Sequence, residues 1–236
     1  MINKFADTLL NTIYPKRCPL CDGLLKLDEP LICRKCAGKF SFIKNRTCKR
    51  CGRVLKSLYE EECAECLKRE PLFDLAFAPF KYTGDIKESL MRFKYHGRAE
   101  YASLYAKSIW AYGEKTIKLF KPELIVNVPV YRKRLASRGY DQAYLIAREL
   151  SKLSGIAAAK NAIKRIKNTK AQKELGSEER RKNIAGAFEN SYAKEFPDRI
   201  LLIDDILTTG STADAVCSVL RAGGAKYICL ACVAVS

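Results

Sequence analysis

The sequence predicts an α/β protein, a mostly parallel sheet flanked by helices, with a small tandem cysteine-rich domain ahead of it. Three observations carry this. The aliphatic runs "ELIVNVPV" (123–130), "RILLIDDI" (199–206) and "YICLACVAV" (227–235) are continuous, as in strands buried on both faces. Segments of helical periodicity lie between the strands, and connections of that length join parallel neighbours. Most cysteines fall before residue 67, in four C-x2-C pairs.

Those pairs are Cys18-Cys21, Cys33-Cys36, Cys48-Cys51 and Cys63-Cys66, each starting fifteen residues after the last. Taken two at a time they give C-x2-C-x11-C-x2-C twice, a repeat of period 30. A C-x2-C turn presents two sulfurs to one metal, and zinc prefers four such thiolates in a tetrahedron. The single histidine, His96, lies far off, which excludes mixed Cys/His fingers. Two Zn²⁺ ions in two four-cysteine ribbons are expected. Sequential ligation follows the repeat, and an interleaved cross-brace is the alternative. Four thiolates leave no open position, so the role is structural, and a segment with so few large apolar side chains needs the metal to fold. Each loaded site carries −2, which lowers the +6 of residues 1–70 to about +2.

In chain order, Ile2, Phe5, Leu9, Leu10 and Ile13 share one side of an N-terminal packing helix. "REPL" (69–72) marks the boundary between residues 1–70 and an α/β region, 71–236, expected to have its own core. "FDLAFAPFKYTG" alternates loosely as a strand up to Gly84. Ile86, Leu90 and Phe93 then set a helix that Gly97 stops, and a second helix spans 99–112. After "ELIVNVPV" comes an amphipathic helix over 139–154, then the short strand "NAIKRIK" (161–167). "RILLIDDI" leads into a helix over 211–222 closed by Gly223-Gly224, and "YICLACVAV" is last. Cys229 and Cys232 sit three apart in that strand and face opposite ways; with Cys217 they read as small buried apolar residues. Between two strands, residues 168–187 are polar and patternless, the mark of a functional loop or lid. No stretch reaches the ~20 apolar residues of a membrane span, and no secretory signal is read at the N-terminus, so a cytoplasmic location is expected.

The stretch "ILLIDDILTTGST" (200–212) carries the chemistry. Ligands of open α/β sheets bind at the carboxyl ends of strands, where Asp204 and Asp205 stand. Ser211 and Thr212 open the following helix, whose N–H groups and hydroxyls form an anion cradle, and Gly210 lets backbone approach a phosphate. One end accepts hydrogen bonds and the other donates them. A sugar with vicinal hydroxyls and a 5′-phosphate needs both.

This stretch resembles the phosphoribosyl pyrophosphate (PRPP) signature of type I phosphoribosyltransferases. "VNVPVYRKRLASRGYDQA", "KNTKAQKELGSEERRKNIAGAF" and the cysteine repeat resemble the ComF family of competence proteins over nearly the whole chain. The resemblance implies a type I phosphoribosyltransferase-like α/β domain behind the double ribbon. It implies that Asp204 and Asp205 hold the ribose hydroxyls, directly or through Mg²⁺, and that Thr208, Thr209, Gly210, Ser211 and Thr212 wrap the 5′-phosphate of PRPP or ribose 5-phosphate. Tyr131, Arg132 and Lys133 would form the pyrophosphate loop. Residues 168–187 would be a mobile loop offering Lys170, Arg180 and Arg181, and 73–98 a hood over the acceptor. It further implies a cytoplasmic role on incoming single-stranded DNA, with competence or recombination proteins as candidate partners.

Of the net +17, residues 127–185 hold +10, from fifteen basic and five acidic residues. That charge serves PRPP alone, or also a nucleic-acid backbone through residues such as Lys164, Arg165 and Lys167. Nothing in 73–98 identifies a nucleobase acceptor, and no catalytic residue is assigned. Three functions follow: a PRPP-binding competence factor, an active phosphoribosyltransferase, or a DNA-binding ribbon protein with a vestigial cavity.

Overall fold

The computed structural model describes residues 15–26, 28–29, 31–57, 59–167, 184 and 186–236. The N-terminal helix expected before residue 14 and nearly all of the proposed mobile loop, with Lys170, Arg180 and Arg181, lie outside them.

The main sheet is parallel throughout. Its strands are β1 (Leu75–Phe77), β2 (Phe80–Lys81), β3 (Leu124–Asn127), β6 (Arg199–Leu207) and β7 (Tyr227–Val235), in the order β1-β7-β6-β3, with β2 also on β7. The expected strand in "FDLAFAPFKYTG" is thus two short pieces on one neighbour. Pro79 separates them, because it has no N–H for the ladder. The register sets Leu202 beside Val126 on one side and Leu230 on the other.

Strict alternation divides the buried strands between two layers. Val126, Ile200, Leu202, Leu230 and Cys232 face one layer, which holds α7 (Ser211–Ala222) and the hairpin of β4 (Ile163–Arg165) with β5 (Phe188–Asn190). Ile125, Leu201, Ile203, Cys229 and Ala231 face the other, with α3 (Gly84–Tyr95), α4 (Ala102–Phe120) and α6 (Gln142–Ser154). Cys229 and Cys232 do point to opposite faces, both buried. The strand read in "NAIKRIK" is present as β4, but it pairs antiparallel with β5 outside the main sheet. Helix α4 runs eight residues beyond the expected end at 112, because Ile117 continues its buried stripe.

The ribbons carry the short helices α1 (Arg34–Ala37) and α2 (Ala64–Arg69), and the turn after β3 opens α5 (Arg132–Arg138). The second ribbon packs into the core of the α/β region. Cys48, Cys51, Cys63 and Cys66 belong to one apolar cluster with Phe73, Ala76, Leu207 and Val235. The first ribbon keeps a small cluster of its own around Cys18, Leu20 and Cys36, touched by Ile86 of α3.

Candidate functional site

The Sγ atoms of Cys18, Cys21, Cys33 and Cys36 lie within 4.8 Å of one another, as do those of Cys48, Cys51, Cys63 and Cys66. Ligation is therefore sequential. The Cys21–Cys33 and Cys51–Cys63 sulfur separations are 3.7 and 3.6 Å. A tetrahedron with Zn–S of about 2.3 Å has edges of roughly 3.8 Å, so both sets fit zinc. Both knuckles fold alike: Cys18 N–H donates to Gly23 O at 2.8 Å and Cys48 N–H to Arg53 O at 2.7 Å. The N–H groups of Cys33 and Cys63, at the starts of α1 and α2, donate to the sulfurs of Cys18 and Cys48. Burial, then crowding by neighbouring sulfurs, pushes Cys51 up to about 12 and raises Cys36 and Cys66. Four thiolates at this distance require a cation among them.

A cavity of about 440 Å³ opens at the carboxyl ends of β3 and β6. Asp204, Asp205 and the whole turn Thr208–Thr212 line it, so the structure brings this predicted set together. Gly210, at φ +77°, caps α7, and Thr209 Oγ1 lies 3.1 Å from Ser211 Oγ. Burial and then the neighbouring Asp205 carboxylate push Asp204 up to about 8. One acid of the pair thus holds a proton near neutrality, a proton that a divalent cation would displace. Lys94 of α3 reaches across to Asp205 Oδ1 at 2.9 Å, with only 17% of its side chain exposed. Burial opposes its charge, but the Asp205 carboxylate outweighs that and holds the Lys94 pKa above its ordinary value.

One wall is basic. Arg134, Arg138 and Arg165 line it, and Arg138 lies 4.8 Å from the Tyr95 ring centroid while donating to Gln142 Oε1. Gln142 is fully buried on this wall, and its Nε2 has no hydrogen-bond partner among the described residues. Tyr131 is the N-cap of α5, and Arg132 and Lys133 are exposed at its start; the arginines at the cavity are the next residue, Arg134, and Arg138 one turn further on. Asp141 anchors the wall from behind. Its Oδ1 accepts from Tyr144 N–H and caps α6, while its Oδ2 accepts from Val130 N–H at 3.1 Å and Asn127 Nδ2 at 3.3 Å. Burial raises its pKa despite these donors.

Lys94, Arg134, Arg138 and Gln142 were not singled out by sequence reasoning. A signal existed for one: Ile86, Leu90 and Lys94 form an i, i+4 row, and a lone lysine continuing an apolar row needs a buried partner. The sequence groups Arg165 with Lys164 and Lys167 as candidate nucleic-acid contacts. Alternation along β4 instead turns it into the cavity and leaves Lys164 outside.

Comparison with known proteins adds a family model, three relatives and a solved structure. A double zinc ribbon domain model matches residues 9–67. Competence protein F of Haemophilus influenzae is 34% identical over 175 residues, covering 72% of this chain and 76% of that protein. DNA utilization protein YhgH of Salmonella typhimurium is 27% identical over 176 residues, with 72% and 76% covered. Competence protein ComFC of Streptococcus pneumoniae is 26% identical over 186 residues, with 72% and 78% covered. Among solved structures, a purine phosphoribosyltransferase from Pyrococcus horikoshii aligns over 54% of this chain and 68% of its own at 23% identity. The TM-score is 0.32, a likeness too slight to bear on function.

Proposed function

The chain belongs to the competence protein F family, and from that premise we propose that it is a PRPP-binding competence factor supporting the handling of internalised single-stranded DNA in the cytoplasm. The observation that carries the ligand reading is the meeting of two chemistries in the lining of one cavity. Asp204 and Asp205 can accept hydrogen bonds, and the N–H and hydroxyl groups of the Thr208–Thr212 turn at the start of α7 can donate them. That pairing of acceptors and donors suits a ribose 5-phosphate unit, with Mg²⁺ at the carboxylates and the pyrophosphate toward Arg134, Arg138 and Arg165. Tyr131, Arg132 and Lys133 at the start of α5, and Lys170, Arg180 and Arg181 on the loop, are proposed to contribute further positive charge when PRPP binds. The competence role rests on the family and on the named DNA-utilization and competence relatives. Among the described residues, no helix is long and apolar enough to cross a membrane.

A second reading, an active phosphoribosyltransferase, is favoured by one feature: Tyr82 and Tyr95 of the proposed hood also line the cavity, and their rings offer stacking surfaces to an acceptor base. In that reaction the chain's residues would neutralise the leaving pyrophosphate and position the ribose. Calorimetry with PRPP and Mg²⁺ tests the binding, and pyrophosphate release screened over nucleobases and single-stranded DNA separates the readings. Binding without release supports the first; release with any acceptor supports the second. Absence of binding would mean that the Asp-Asp and Thr-Thr-Gly-Ser-Thr set has been misread.

A further inference from the structure

The geometry points to Arg53 and Arg69, both supplied by the second zinc ribbon, as positioning residues that hold the phosphate turn in its anion-accepting shape. The inference rests on the sugar-phosphate reading above and adds that the zinc of the second ribbon is energetically linked to that ligand.

Arg53 Nη2 donates to Thr208 O at 2.7 Å, and its Nε donates to Ser236 O at 2.7 Å. Arg69 Nη1 donates to Thr209 O, and the same guanidinium pairs with Asp214 in the first turn of α7 at 3.2 Å. Only 11% of the Arg69 side chain is exposed. All peptides here are trans. A trans peptide that turns its C=O one way turns the next N–H the other way. Holding the carbonyls of residues 208 and 209 against the ribbon therefore directs the N–H groups of Thr209 and Gly210 away from it. That is the direction in which a phosphate cradle needs them. A Cβ at position 210 would run into the Arg69 guanidinium, so glycine there also serves the ribbon contact.

The metal fixes both arginines. Arg53 is two residues after the ligand Cys51, and its carbonyl closes the knuckle by accepting from Cys48 N–H. Arg69 ends α2, three residues after Cys66. The period of 30 supplies an internal comparison: the equivalent positions of the first ribbon are Gly23 and Lys39, and neither has a hydrogen bond to the phosphate turn among the described residues. The two ribbons have the same scaffold and different duties.

The test uses full-length, zinc-loaded protein, with ribose 5-phosphate plus Mg²⁺ as one probe and Mn²⁺ alone as the other. Arg53→Ala and Arg69→Ala should weaken ribose 5-phosphate binding about tenfold each, the scale at which residues behind a direct contact act. Mn²⁺ binding at the carboxylates should stay within twofold, whereas general loosening of the site would weaken both probes. Wild-type protein supplies the reciprocal measurement. Saturating ribose 5-phosphate should raise zinc affinity in chelator competition at the second ribbon, identified as the site retained in a Cys21→Ser/Cys33→Ser variant. Linkage requires the same factor by which zinc raises ligand affinity. Equal zinc affinity with and without ligand, or wild-type ribose 5-phosphate binding in both arginine variants, would overturn the inference and leave the sugar-phosphate reading intact. No ribose 5-phosphate binding by the wild-type protein would overturn both.

Discussion

At the scale of single residues, the cavity is built from charges that disagree with their surroundings. Asp204 is recessed, next to Asp205 and within the field of Asp141, and its pKa of about 8 follows first from burial and then from Asp205. Lys94 offsets part of that field from across the cavity, through its bond to Asp205. An unfolded aspartate titrates near 4, so between about pH 4 and pH 8 the folded protein holds a proton that the unfolded chain has lost. The contribution of Asp204 to the stability of the ligand-free protein therefore falls as pH rises through that window. Ligand binding runs the other way. Mg²⁺ or a sugar hydroxyl requires the ionised pair, so affinity for ribose 5-phosphate with Mg²⁺ should rise with pH and level off above about 8, with release of up to one proton near neutrality. Calorimetry in two buffers of different ionisation heat measures that proton directly. Asp204→Asn should abolish its release.

At the scale of elements, the two ribbons show how one repeat is adapted to two docking surfaces. The residue after the second cysteine of each knuckle is left-handed in both, Asp22 at φ +58° and Gly52 at φ +69°. In the first ribbon there is room for a side chain, and Asp22 uses it to bind Arg98 at 2.8 Å and Tyr101 Oη at 2.6 Å. In the second, a Cβ at Gly52 would meet Ala76 O and Phe77 Cα, both at 2.9 Å, because the knuckle is pressed on the backbone of β1. Only glycine satisfies both the dihedral and the approach. Gly52→Ala should thus destabilise the protein by about 2 kcal/mol or more, through strain and a forced shift of the ribbon. Denaturant unfolding measures the loss. Gly38→Ala, where nothing lies within 4 Å of the added carbon, is the matched control and should stay near wild type.

At the scale of the whole molecule, the second ribbon and the sheet share one apolar cluster, so metal and fold are coupled. Chelation of zinc should lower the melting temperature of the α/β region itself, seen as a shift of its main calorimetric transition rather than loss of a separate one. The charge distribution makes a further prediction. Residues 127–185 carry +10, yet Arg134, Arg138 and Arg165 face the cavity, which leaves outward lysines such as Lys164 and Lys167 for a nucleic-acid backbone. If single-stranded DNA binds there, affinity should fall with salt by about 0.7 log units per decade for each phosphate contact. Lys164→Glu with Lys167→Glu should flatten that slope while sparing ribose 5-phosphate binding. Fluorescence anisotropy over a salt series reads both, and a flat wild-type dependence would remove the DNA interface.

Whatever follows from local pattern was legible in the chain alone. The C-x2-C repeat specified eight ligands in two sets, because metal geometry is written in short spacings. Continuous aliphatic runs specified buried parallel strands. The run of acids and then Thr-Thr-Gly-Ser-Thr puts both halves of the proposed ligand site within thirteen residues, since the end of a strand and the start of the next helix are contiguous in the chain. Which distant residues complete the proposed site depends on packing between elements far apart in the chain. Lys94 comes 111 positions before its partner Asp205, and Arg69 comes 140 before Thr209. Arg165 could not be told from Lys164 until the pairing of β4 with β5 fixed which side each faces. The reason is physical. Spacing encodes what one turn or strand end presents, whereas the depth of a lysine, the pKa of an aspartate and the shape of a phosphate turn depend on which surfaces pack against them.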